Sequence, residues 1–286
     1  MRITNKLGLP QPFVDMASSD FDPDETTYRV TSLLKGVREV ILEKRHDVEQ
    51  DVSDMIWMLF GTAAHSVLER SQETSSQIKE CRLTEKINGR YVSGKFDLYD
   101  AKLKKVIDYK TCSVWKVIHG DYKDWRRQLL IYSYLLRKAG FEANTGEIVA
   151  IMKDHSKRDA KYKPDYPKQP VKIITFRFNE DDFIECEEWL KSKVNALKQA
   201  ELLPDDELPL CTDEERYNSG TKYAVMKKGR KTAMRVLDSK EDAVAWLAIN
   251  NGDSIEERKG EDKKCLDYCA VCKFCNYWQK NYGGNE

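Results

Sequence analysis

The sequence predicts an α/β fold, a mixed central sheet flanked by helices, followed by a small α+β appendage rich in cysteine. Three observations carry that expectation. Residues 80–112 hold short alternating apolar runs broken at Asn88-Gly89 and at residues 100–104, the pattern of consecutive strands joined by tight turns. Amphipathic stretches stand before and after them, and the later one leads by a helical crossover into the apolar run 146–153, which must then lie parallel to the third strand. Four cysteines crowd into residues 265–275, beyond an acidic, proline-bearing segment.

At 286 residues the chain fits one large domain, or a domain of about 200 residues with an appendage. We expect an N-terminal arm over residues 1–30, a core over 31–203 and a C-terminal unit over 204–286. The composition, 41% hydrophobic and 34% charged, supplies a core and a well-solvated surface. No apolar run approaches the roughly 18 residues of a membrane span. The first residues, Met-Arg-Ile-Thr-Asn-Lys, lack the apolar block of a secretion signal. A soluble cytoplasmic protein with no membrane partner is expected.

The formal charge is zero, 48 bases against 48 acids, which argues against a non-specific nucleic-acid coat protein. It leaves room for a nucleic-acid enzyme, whose metal site needs acids and whose substrate groove needs bases. Lys102, Lys104, Lys105, Lys110, Lys116, Lys123, Arg126 and Arg127 form one basic block, and residues 222–235 another. Taken singly, either block reads more simply as a solvated face.

In chain order, residues 1–26 read as an irregular arm, residues 31–45 as a helix and residues 54–76 as a second helix with Ile56, Leu59, Phe60, Ala63, Val67 and Leu68 as its apolar stripe. Strands follow at 80–87, 90–99 and 105–112, then a helix to Ala139 closed by Gly140, strands at 146–153 and 171–178, and a long helix over 181–200. Residues 154–170 read as a loop. Residues 203–217, acidic and bearing Pro204 and Pro209, read as a linker; beyond it, residues 221–236 suggest a basic hairpin around Lys228-Gly229, Ser239 caps a short helix, and residues 254–258 form a last strand.

Asp97 lies on one strand of the central hairpin, with Asp108 and Lys110 on the next and, two apart, on one face. Carboxylates on neighbouring strands can hold a hard divalent cation through oxygen, and a lysine beside them can steady an attacking hydroxide or developing phosphorane charge. Glu85 on the preceding strand is a candidate further acid.

Phe96-Asp97 followed by Asp108-Tyr109-Lys110 resembles the hallmark of the PD-(D/E)XK nuclease superfamily, an acid on one strand and acid-x-Lys on the next, with Phe96 in place of the proline. Gly61-Thr-Ala-Ala-His65-Ser-Val-Leu-Glu69 looks like the Gly-x-x-x-His-x-x-x-Glu segment of its RecB-like members, and Gln128-x-x-x-Tyr132 like their motif after the acid-x-Lys strand. The resemblance spans about residues 30–200. It implies a restriction-endonuclease-like core and Mg²⁺ or Mn²⁺ bound by Asp97, Asp108 and the Tyr109 carbonyl, with His65 completing that shell or a second one. It further implies that Lys110 orients water and that Gln128 and Tyr132 position the strand. The activity implied is a DNA exonuclease of phage or bacterial recombination and repair, with DNA as partner and room for a single-strand annealing protein or a helicase. A non-catalytic DNA-binding or assembly subunit with a nuclease-like fold is the alternative.

Cys265-x3-Cys269-x2-Cys272-x2-Cys275, in a chain without a secretion signal, reads as metal or cluster ligation rather than a disulfide framework. Its spacing resembles the C-terminal cysteines that close a [4Fe–4S] cluster in AddB-type and CRISPR-adaptation nucleases. Those relatives take their first ligand from the opening helix, where this chain has Lys35-Gly36-Val37-Arg38. Either Cys265, Cys269, Cys272 and Cys275 close the site, or Cys211 joins Cys265, Cys269 and Cys275. Zn²⁺ satisfies the same spacing, and a structural role is expected of either.

Overall fold

A computed structural model describes residues 2–18, 27–72 and 74–284. Its contacts divide the chain into two units, Met1–Ile41 with Asp47–Leu203, and Leu42–His46 with Pro204–Glu286. The first unit opens with β1 (Arg2–Thr4), α1 (Gln11–Ser18), β2 (Thr27–Arg29), α2 (Val30–Leu33) and the start of α3 (Val37–Arg45), whose residues from Leu42 on belong to the second. The expected irregular arm is therefore folded over residues 2–18, while residues 19–26 of it lie outside the described residues. The reason is a local apolar cluster: Ile3, Leu9, Val14 and Ala17 cover Val52, Met55 and Leu59. There β1 pairs in parallel with β3 (Glu49–Asp51), and the Asp51 carboxylate accepts the Thr4 hydroxyl at 2.9 Å and the Lys6 N–H at 2.8 Å. The single helix expected over 31–45 is two, parted around Gly36.

Helix α4 (Ile56–Glu69) spans the expected apolar stripe but not the full 54–76 range, and of that stripe only Leu59 is buried. It leads into β4 (Gln77–Ile87), β5 (Arg90–Asp100) and β6 (Lys105–Cys112). Asn88 and Gly89, with φ of 50° and 82°, take the left-handed backbone that a two-residue hairpin turn requires. After α5 (Val114–His119) and α6 (Lys123–Lys138), β7 (Thr145–Met152) runs parallel to β6, and β8 (Val171–Arg177) antiparallel to β7. The sheet runs β2-β5-β6-β7-β8, with β4 on β5. The 154–170 connection, read as a loop, contains α7 (Lys157–Tyr162). Thus the core is the mixed α/β sheet flanked by helices that the sequence predicts.

Helix α6 lies on this sheet with residues 128–136 all buried. Two glycines let it approach. A Cβ on Gly94 would fall 2.9 Å from the side chains of Tyr132 and Leu135, and one on Gly146 2.9 Å from Leu129. Outside it, α8 (Glu180–Ala200) starts at a capping box between Asn179 and Asp182 and pins α6 by charge. Arg126 reaches Asp182 at 2.6 Å, Arg127 reaches Glu185 at 2.8 Å, and Arg137 reaches Glu180 at 2.9 Å. Lys105 meets Glu147 at 2.6 Å and Lys116 meets Asp124 at 2.9 Å. Much of the basic block that crowds the hairpin in sequence is thus paired with acids.

In the second unit β9 (Lys222–Met226) is the centre of a three-stranded antiparallel sheet, flanked by β10 (Arg235–Leu237) and β11 (Ser254–Arg258). Helix α9 (Lys240–Asn250), capped by Ser239, contributes Ala243 to a small core with Ala224 and Val225. Short α10 (Lys263–Asp267) and α11 (Asn276–Tyr282) frame the cysteines. No helix among the described residues is long and apolar enough to cross a membrane.

Candidate active site

The edges of β5 build the site. Along one edge β4 pairs with it from Ile87↔Arg90 to Gln77↔Asp100. The other edge is divided, with residues 91–93 taken by β2 and residues 98–100 by β6. Residues 94–97 are left between them, at the point where β5 and β6 part. Extending the Leu98↔Ile107 register by one step sets Asp97 across from Asp108. In place of the next ladder bond, Asp97 Oδ2 accepts the backbone N–H of Tyr109 at 2.6 Å. A carboxylate that replaces a ladder acceptor is held in one orientation.

From α4, His65 Nδ1 comes to 3.2 Å from Asp97 Oδ1, and its ring meets that of Tyr109 edge-on at 6.1 Å. The contact crosses from helix to sheet. The hydrogen bond to Asp97 raises the His65 pKa, against the opposing effect of burial. Glu80, on β4, completes this group: one ligand atom from each of His65, Glu80 and Asp97 lies within 4.8 Å of the others. Among the described residues no other three His, Cys, Asp or Glu side chains converge so closely.

Asp108, 2% exposed, heads a second group. Lys110 Nζ is 2.9 Å from its Oδ2, and Gln128 Nε2 is 3.5 Å from its Oδ1. Gln128 also donates to the Tyr132 hydroxyl at 2.8 Å. Oδ2 sits beside the ammonium without a well-aligned hydrogen bond, so this buried oxygen keeps capacity for a further ligand. Burial pushes the Asp108 carboxyl up to about 6, against the pull of Lys110 and with the push of Asp97. Tyr132 is raised well above its ordinary value, by burial first and then by the Asp108 charge, so it remains a neutral hydroxyl.

Of the residues expected from sequence, His65, Asp97 and Tyr109 therefore meet in one group, and Asp108, Lys110, Gln128 and Tyr132 in another. The two are joined through the Tyr109 backbone and the mutual repulsion of the carboxylates. Glu85, the acid favoured on β4, pairs across to Val92, five residues and about 16 Å along β5 from Asp97. Glu80 was missed, although the turn points to it. It lies eight residues before Asn88, as Asp97 lies eight after Gly89, so the hairpin sets them opposite. Carboxylate oxygens and an imidazole are the donor set of a hard to borderline divalent ion such as Mg²⁺ or Mn²⁺, and the buried Asp108 oxygen beside Lys110 fits one as well.

The cysteines are arranged differently. Cys211, Cys265, Cys269, Cys272 and Cys275 are all half-buried. Burial pushes Cys265 up to about 11, with the charges of Asp262, Cys211 and Cys275 adding to it. Cys272 is raised chiefly by burial, and its sulfur neighbour is Cys275. No three of these sulfurs lie within 4.8 Å of one another. Beneath them Asp262, 1% exposed, accepts from Asn218 and from the hydroxyls of Tyr277 and Tyr282, and pairs with Arg216 at 3.1 Å.

No family model matches the sequence, and no curated protein matches it. Among solved structures the chain is similar to SSO0001 at 18% identity and a TM-score of 0.45, over 65% of this chain and 82% of that one. An alkaline exonuclease, LHK-Exo, from Laribacter hongkongensis aligns at 11% identity and a TM-score of 0.38, over 61% of this chain and 89% of that one. A phage related exonuclease from Haemophilus somnus 129PT aligns at 13% and 0.32, over 57% and 81%. Each of these likenesses has a TM-score below 0.5.

Proposed function

We propose that the chain is a divalent-metal-dependent deoxyribonuclease that hydrolyses phosphodiester bonds, of the exonuclease type used in phage or bacterial recombination and repair. One observation carries this reading: where β5 and β6 part, the Asp97 and Asp108 carboxylates are held across from one another, with Lys110 at 2.9 Å from Asp108 and His65 at 3.2 Å from Asp97. Asp97, Asp108, His65 and the Tyr109 carbonyl are the groups that would hold Mg²⁺ or Mn²⁺. When bound, such an ion polarises a phosphate oxygen and lowers the pKa of a water. Lys110 supplies a positive charge beside the reacting phosphate, where charge builds in the transition state. Gln128, anchored by the Tyr132 hydroxyl, holds Asp108 in place.

The cysteine unit is the place for a structural cofactor. Tetrahedral zinc, with Zn–S of about 2.3 Å, brings its sulfurs to about 4 Å from one another, whereas a multi-iron cluster spreads them further. The cysteine spacing suits [4Fe–4S] or Zn²⁺ alike, and the closeness of Cys265 to Cys211 and Cys275 supports the ligand set that includes Cys211. A cytoplasmic enzyme acting on DNA beside a helicase or annealing protein is the setting this reading implies.

The test is to incubate the purified chain with linear and circular DNA, with Mg²⁺, with Mn²⁺ and with EDTA. Metal-dependent loss of linear DNA alone is the expected result. Intact DNA under every condition would leave a non-catalytic DNA-binding subunit instead.

A further inference from the structure

We propose that Glu80 is a direct ligand of the divalent cation, forming with His65 and Asp97 a cation site on the β4 side of the carboxylate pair. The first argument is position. Glu80 is set across from Asp97, and the ladder passes from Lys79↔Leu98 to Cys81↔Phe96 without pairing the two. At that point the backbone of Glu80 takes φ of 48°, the left-handed region, in the body of a strand. For a residue with a Cβ this conformation is unfavourable. Its side chain is only 16% exposed and its carboxylate meets those of His65 and Asp97 within 4.8 Å.

The plain competitor is the ion pair Glu80 makes with Lys95 at 2.5 Å. Lys95 is 46% exposed, and an ion pair open to solvent on its lysine side contributes little. That does not offset a left-handed glutamate, still less one set opposite a second carboxylate, since like charges directly opposed across a strand pair destabilise it. The arrangement becomes favourable when a cation lies between the acids. Two carboxylates and an imidazole suit Mn²⁺ or Mg²⁺, and the nitrogen tilts the preference toward Mn²⁺. What the cation does rests on the nuclease reading; the ligand set itself does not.

Mn²⁺ binding to the full chain, read from the EPR signal of the free ion, decides the matter without any activity assay. Glu80→Gln should weaken Mn²⁺ binding by at least about tenfold, while the metal-free melting temperature stays level or rises as the repulsion with Asp97 is relieved. Lys95→Ala should leave Mn²⁺ affinity level or tighter. Wild-type affinity in Glu80→Gln, or no Mn²⁺ binding by the unaltered chain, overturns the proposal. Should Glu80→Gln not fold, anomalous scattering from Mn²⁺ in crystals of the unaltered chain answers instead. An ion within about 2.4 Å of a Glu80 oxygen supports the site, and one held by Asp97 and Asp108 with Glu80 out of reach sinks it. Mn²⁺ bound through Glu80 in a protein that cuts no DNA would remove the nuclease reading and keep this one. DNA cleavage with unaltered Mn²⁺ binding in Glu80→Gln would do the reverse.

Discussion

The two ligand-rich regions of this molecule invert one another. His65, Glu80 and Asp97 are scattered over a helix and two strands, yet their ligand atoms converge within 4.8 Å. Cys265, Cys269, Cys272 and Cys275 are crowded into eleven residues, yet no three cysteine sulfurs come that close. Crowding in the chain is thus a poor guide to convergence in space. A sheet brings distant residues to one point because register is propagated along whole strands. A short loop rich in ligands is shaped only by its own turns, such as Cys272 N–H to Cys269 at 3.2 Å and Cys275 N–H to Cys272 at 3.0 Å.

If the sheet-built group does chemistry and the cysteine unit only holds structure, substitutions in the two should separate cleanly. The largest effect is expected in the first. Asp108→Ala or Lys110→Ala should reduce metal-dependent DNA cleavage by more than about a thousandfold, with an unchanged circular dichroism spectrum; wild-type cutting by both would end the assignment. Next comes Asp262→Ala beneath the cysteines, which strips a buried anion from Arg216, Asn218, Tyr277 and Tyr282. The second unit should lose about 3–5 kcal/mol in urea unfolding, while cleavage by the folded fraction persists.

Acid sharpens the same contrast. Burial pushes Asp262 up, but the hydrogen bonds from Asn218, Tyr277, Arg216 and Tyr282 outweigh it and leave the pKa below its ordinary value. A pKa lowered by folding stabilises fully above the ordinary carboxylate range, and the contribution is lost as pH falls through the folded value. The urea midpoint of the second unit should therefore fall on acidification in the unaltered chain and fall less in Asp262→Ala.

Within the cysteine unit, Cys265→Ser should abolish the visible iron–sulfur absorption and Cys272→Ser should leave most of it, if Cys211 is the fourth ligand. Equal loss in both would move the ligand set to residues 265–275 alone. The smallest effect belongs to the seating of α6. Gly94→Ala puts a methyl group 2.9 Å from Tyr132 and Leu135 and should cost about 1–3 kcal/mol. Because Tyr132 anchors Gln128, cleavage in that variant should drop severalfold, with Mn²⁺ affinity kept.

Much of this was legible in the residues, for local reasons. Asn88-Gly89, the alternation of 90–99 and 105–112, the cap at Ser239 and the stop at Gly140 all act within a few positions, and each marks an element that is present. The N-terminal arm was illegible because Ile3, Leu9, Val14 and Ala17 have no regular period and find their partners more than thirty residues away in Val52, Met55 and Leu59. Arg126 and Arg127 read in the sequence only as part of a basic block, and α8 alone reveals that they meet Asp182 and Glu185. Glu85 is the wrong acid because the register from the Asn88-Gly89 turn sets Glu80 across from Asp97 and Glu85 across from Val92, on the opposite face of the sheet.

By itself, then, the order of residues determined the succession of strands and helices and the presence of two acids and a lysine on adjoining strands, since propensity, turn chemistry and side-chain alternation are written locally. Only the tertiary structure decided that β2 and β6 share one edge of β5, leaving Asp97 free to take the Tyr109 N–H, and that His65 reaches it from α4. Those outcomes depend on which distant segments compete for the same row of hydrogen-bonding groups, and no short stretch of sequence contains that competition.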